Sequence, residues 1–184
     1  MFIKNKLESM KKISELSLNK FPEQLFKAGE QEKVREFLTC YPAQYYAIRD
    51  KSKACGIFKL KVVAKDVLAE INDYDLFTIN VSSANYIDNQ LLVGEIQILS
   101  NGEVYATLSV DPTASVRDAL KNPTFNLKTD IFDKKLNKIS HFDLIYEYII
   151  THNLQNVIIE FALFDKKVGI RKERIIVYEL RTHY

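Results

Sequence analysis

Residues 157–184 read VIIEFALFDKKVGIRKERIIVYELRTHY, and each of the two apolar, β-branched runs in that stretch encloses one glutamate. Runs of this composition on either side of a glycine predict two strands joined by a tight turn. Gly169-Ile170 is the expected turn centre, because glycine adopts positive φ without steric cost. That turn pairs Glu160 with Glu179, Ala162 with Val177 and Phe164 with Ile175. The two acids then lie opposite one another on one face. Adjacent carboxylates repel unless a proton, an arginine or a metal cation lies between them. An oxygen-rich pair suits Mg2+, particularly when phosphates supply further ligands. The alternative is a surface cluster neutralised by Arg181 or another base.

The elements upstream extend the same α+β pattern. Residues 140–154, SHFDLIYEYIITHNL, predict a helix opened by Ser140 and Asp143 in a capping-box spacing, with Phe142, Ile145 and Ile149 on its apolar stripe. Residues 111–123, DPTASVRDALKNP, predict a short helix with Asp111 at its N-cap and Pro112 in the first position. Residues 90–110, QLLVGEIQILSNGEVYATLSV, predict a hairpin turning at Ser100-Asn101-Gly102. Glu95 is a third acid set within a strand, and Gly94 beside it signals close backbone approach. It is a site candidate or a solvent-facing residue.

Nearer the N-terminus, residues 43–50 and 57–63 predict two strands around a polar turn, 64–71 a helix and 75–82 a third strand. Lys59 and Lys61 alternate with Phe58, Leu60 and Val62, so one face of that strand is expected to be apolar and the other basic. Arg49 and these lysines flank a turn, an arrangement that binds phosphates or is simply a solvated face. Residues 21–38 predict one helix, or two divided at Gly29. The Lys-rich residues 1–20 form an arm or a surface helix. The expected organisation is an N-terminal arm and helical segment over 1–40, then an α+β domain of mainly antiparallel sheet over 41–184.

Composition narrows the classes. The 184 residues are 47% hydrophobic and 27% charged, as in a globular protein, and the net charge of +2 gives no strong electrostatic case for duplex nucleic acid, so duplex DNA is not expected as a partner. No stretch has the roughly 18 apolar residues of a membrane span, and the charged N-terminus lacks a signal peptide's apolar region. Cys40 and Cys55 show no metal-binding spacing and are expected as free thiols in the cytoplasm. His141, His152 and His183 likewise show no metal-ligand spacing, and no Ser–His–Asp pattern appears.

The order of these features resembles the ATP-grasp fold, in which two α+β lobes hold a nucleotide between antiparallel sheets. Residues 45–63, YYAIRDKSKACGIFKLKVV, look like the family's phosphate-contacting strand, mobile loop and following strand. Residues 93–109 are similar to its ribose-facing segment and hairpin, and Arg117 and Asn126 to its arginine and downstream asparagine. The closing hairpin is similar to its two acidic metal-binding strands, although Glu179-Leu180-Arg181 stands where the family usually reads Glu-x-Asn.

The resemblance implies ATP and Mg2+ as cofactors. Arg49 and Lys59 would hold phosphates, Glu95 would face the ribose, and Asn126 would join the cofactor site. Glu160 and Glu179 would bind metal, and Arg117 would meet the charge developing on an acceptor phosphate. If active, such a protein transfers phosphoryl from ATP to a carboxylate or similar acceptor, by positioning and charge neutralisation. A different class is a non-catalytic α+β protein with a protein or single-stranded RNA partner. The RNA form of that reading rests on Tyr45, Tyr46 and Tyr86 near Lys51, Lys53 and Lys59, since stacking with cations suits single strands.

Overall fold

Strands dominate the computed structural model, which describes residues 3, 5–51 and 58–182. The chain divides into two compact units, one of residues 1–20 with 88–184 and one of residues 21–87. The expected boundary after residue 40 falls inside the second unit. Cys55, Lys53 and His183 lie outside the described residues, and Cys40 is an exposed free thiol.

The unit of residues 21–87 is a four-stranded antiparallel sheet. Its strands are β1 (Glu23–Lys27), β2 (Tyr45–Asp50), β3 (Phe58–Val63) and β4 (Leu76–Val81), in the order β1-β4-β2-β3. Two helices belong to it, α2 (Gln31–Cys40) and the short α3 (Val67–Glu70). The expected helix over 21–38 is therefore a strand and a helix, parted at Gly29. Phe26 is the reason: it is buried and stacks on Phe77 of β4 at 5.7 Å, with Phe37 of α2 edge-on at 5.9 Å. A strand ladder with β4 sets that contact, and local helix propensity yields to it.

The other unit carries a five-stranded antiparallel sheet in the order β7-β6-β5-β8-β9. Its strands are β5 (Gln90–Ile98), β6 (Glu103–Ser109), β7 (Phe125–Asp130), β8 (Ile158–Val168) and β9 (Glu173–Arg181). Alternate residues point to opposite faces. On one face Leu92, Ile96, Val104, Ala106, Ile159, Phe161 and Val177 join one core with Ile145 and Ile149 of α5 (Phe142–Thr151). α5 runs where the sequence predicts it. Its N-cap, however, is His141 at φ 60°, with no side-chain cap bond, rather than Ser140.

The N-terminal arm is a helix, α1 (Lys6–Glu15), capped by the Asn5 side chain, which accepts from the Glu8 amide at 3.0 Å. Ser9 Oγ accepts a bond of 2.7 Å from the Leu180 amide and so ties α1 to β9. The helix α4 (Val116–Lys121) starts later than expected. Ser115 and Asp118 form its capping box, while Asp111 accepts from the amide and hydroxyl of Thr113 in a preceding turn. No helix among the described residues is long and apolar enough to cross a membrane.

Candidate functional site

Strand register, more than any local motif, assembles the polar residues of the five-stranded sheet. Glu160 faces Glu179 across β8 and β9, as the closing hairpin predicts. The expected pairing then slips by one residue, because a bulge follows Glu160 and sets Phe161 against Val177 and Ala162 against Ile176. Glu95 of β5 lies opposite Glu160, Thr107 of β6 opposite Glu95, and Asn126 of β7 opposite Thr107. Directly paired residues share a face. Asn126, Thr107, Glu95, Glu160 and Glu179 thus form one row across all five strands, spanning roughly 19 Å at the usual strand spacing. It lies on the face opposite the α5-covered core.

Gly94 allows the row to close up. A Cβ there would stand 2.1 Å from the Thr107 carbonyl oxygen. Only glycine fits, as its place in the strand suggests. Next to the polar row on the same face runs a buried one, in which apolar Val93, Ala162 and Ile176 line up with Ser109.

Two cations meet the three acids. Arg181, two residues beyond Glu179 on the same face, reaches back across the sheet. Its Nη2 pairs with Glu95 and lies 3.2 Å from Glu160 Oε1. Lys6 of α1 is 2.9 Å from Glu179. Burial and then the facing Glu179 charge push the Glu160 carboxyl above its ordinary pKa, and Arg181 and Lys6 pull the other way. A carboxyl raised in this sense favours folding below its unfolded pKa of about 4.3 and loses that contribution as pH rises through the folded value. At neutral pH, ionised Glu160 is therefore a cost that the two cations offset only in part.

Thr107 and Lys6 were not among the candidates named from sequence. Thr107 was within reach of that reasoning, since it and Glu95 are equidistant from Asn101 in the hairpin. Lys6 was not, because nothing local links α1 to β9.

The remaining candidates lie on other elements. Arg117 is exposed on α4, which packs against β5 and β6. Arg49 and Lys59 belong to the other unit and lie on opposite faces of its sheet. Register pairs Ile48 with Lys59 and Arg49 with Phe58, after a shift between Tyr46 and Ile48. That shift reverses the expected facing of β3 from Phe58 to Leu60, while Val62 stays buried opposite Tyr46. Phe58 and Leu60 are exposed, while Lys59 shares the face of buried Ile48 and pairs with Glu70 of α3. Arg49 instead stacks on the Phe58 ring at 4.6 Å, and Lys61 on Tyr45 at 4.7 Å. Tyr46 is buried, donating to the Tyr41 carbonyl at 2.8 Å, and Tyr86 stacks on Phe21.

Magnesium does not fit the row as it is arranged. The carboxylates are already engaged by a guanidinium and an ammonium group. Among the described residues, no three His, Cys, Asp or Glu side chains are placed to hold a metal ion.

No protein-family model matches the sequence, and no curated protein matches it. Solved structures do match. N5-carboxyaminoimidazole synthetase from Staphylococcus aureus aligns at a TM-score of 0.50 and 10% identity, over 97% of this chain and 44% of that one. The N5-carboxyaminoimidazole ribonucleotide synthetase of Thermotoga maritima aligns at 0.46 and 17% identity, over 98% and 42% of the two chains. D-alanyl-alanine synthetase A from Vibrio cholerae O1 biovar eltor str. N16961 aligns at 0.45 and 12% identity, over 97% and 55%. The chain spans about half the length of the solved chains it matches. Across nearly its whole length it is structurally similar to ATP-grasp enzymes.

Proposed function

We propose that this chain binds a nucleotide on the polar row of its five-stranded sheet. The observation that carries the reading is the alignment of Asn126, Glu95, Glu160 and Glu179 in one cross-sheet row. Four candidates drawn from three separate motifs line up there, in a fold similar to that of ATP-grasp enzymes. At one end, Thr107 and Asn126 offer neutral hydrogen-bonding groups. In the middle, Glu95 is a carboxylate acceptor suited to sugar hydroxyls, beside the positive charge of Arg181. The Arg181 side chain is 41% exposed and meets both carboxylates through Nη2 alone, so its guanidinium keeps donors for a phosphate oxygen. With the acids committed to Arg181 and Lys6, the reading is of binding rather than of phosphoryl transfer.

The test is a thermal-shift scan of the protein with ATP, GTP, AMP and a short single-stranded RNA. A ligand at 100 times its Kd stabilises the native state by about 2.7 kcal/mol. For a chain of this size that is a rise of roughly 5–10 °C in Tm. ATP or GTP is expected to produce it. A shift with RNA alone would favour the non-catalytic RNA-binding alternative, and no shift with any nucleotide would remove the proposal.

A further inference from the structure

We propose that Arg181 is the resident cation of the acidic row and that it excludes divalent metal from this face. Three strands, β5, β8 and β9, bring their glutamates into one register, where three like charges repel. The fold needs positive charge at that point, and the chain supplies it from within. One guanidinium nitrogen touches both Glu95 and Glu160, while Lys6 takes Glu179.

A metal ion would have to displace these contacts. Mg2+ keeps its ligands at about 2.0–2.1 Å in near-octahedral geometry, and it sheds water reluctantly. A guanidinium already set among the carboxylates would then be left beside a divalent cation, with like charges at close range. The cluster is consequently locked in its ion-paired form.

The inference rests on the nucleotide reading only in one respect: it makes any nucleotide binding on this face independent of Mg2+. The metal question itself is tested without nucleotide. Mn2+ is titrated into the isotope-labelled protein, and paramagnetic broadening of backbone amides is followed by NMR.

In the parent protein, the amides of Glu95, Glu160 and Glu179 should broaden no more than those of other surface acids up to millimolar Mn2+. In Arg181→Met, which leaves three carboxylates with one lysine, the same amides should broaden selectively, and Mn2+ should raise the Tm. Arg181→Lys keeps the charge and should behave as the parent. Selective broadening in the parent overturns the proposal, and so does a folded Arg181→Met variant that shows none. If Arg181→Met does not fold, the parent titration still decides, and Arg181→Asn provides a second gain-of-binding variant.

In the thermal-shift scan, ATP should stabilise the parent equally with Mg2+ and with EDTA. A shift that requires Mg2+ contradicts this inference and leaves nucleotide binding standing. A complete absence of nucleotide shift removes that binding and leaves the Mn2+ result untouched.

Discussion

Gly94→Ala should fail to yield a stable protein. Gly94 lies in β5, the central strand of five, at φ +149°, where a Cβ would meet the Thr107 carbonyl oxygen at 2.1 Å and Leu108 Cα at 2.9 Å. Both atoms are backbone of β6, so no rotamer change relieves the overlap. Either β5 and β6 part, or the strand buckles at the centre of the sheet. Overpacking of this kind costs about 1–3 kcal/mol when side chains can yield. With only backbone to move, a loss above about 4 kcal/mol is expected, a large share of a typical domain's stability. Gly29→Ala is the contrast: nothing lies within 4 Å of its added Cβ, and only the positive φ is strained, at about 1–2 kcal/mol. Urea denaturation of the two variants measures the difference. A Gly94→Ala midpoint no lower than that of Gly29→Ala would contradict the account.

Asn19→Ala should lower stability by about 3 kcal/mol, although Asn19 lies in no helix or strand. The side chain is fully buried at the β8–β9 hairpin. Its amide nitrogen donates to the carbonyls of Val168 and Ile175, each at 2.9 Å, and to Glu173 at 3.3 Å. Its oxygen accepts from the Arg171 amide at 2.9 Å. Each buried polar group left unpaired costs about 1–3 kcal/mol, and alanine removes every one of these bonds together. Asn19→Asp has nearly the same shape but places a carboxylate against the carbonyl oxygens, so it should be at least as damaging. At roughly 2–4 °C per kcal/mol for a chain of this size, the alanine variant should melt about 6–12 °C lower. A variant within 0.5 kcal/mol of the parent, roughly the spread of an ordinary surface change, would mean that the hairpin is held by something else.

The closing hairpin, the Asn101-Gly102 turn and the amphipathic α5 were legible in the sequence because each is specified by neighbours in the chain. β1 was not. Its residues belong with a helical pattern, and only Phe77, some fifty positions away, makes Phe26 a strand residue. Parity was lost on β3 for a similar reason, since the irregularity in its pairing with β2 turns Lys59 toward the face of Ile48 and away from Arg49.

For the candidate site, the acids themselves were legible as charged interruptions of apolar strands. Their assembly was not, because it depends on strand pairings between segments far apart in the chain, β5 with β8 above all. The cation was foreseeable as Arg181, which stands two residues from Glu179 on the same strand. Its reach to Glu95 required the sheet order.

The central claim, that a nucleotide lies on the row from Asn126 to Glu179, is tested most directly by mapping where ATP perturbs the protein. Amide NMR spectra recorded through an ATP titration, in EDTA, should show the largest shifts at Glu95, Thr107, Asn126, Glu160 and Arg181, saturating with a single Kd. Shifts confined to other surfaces, or none at millimolar ATP, would contradict it.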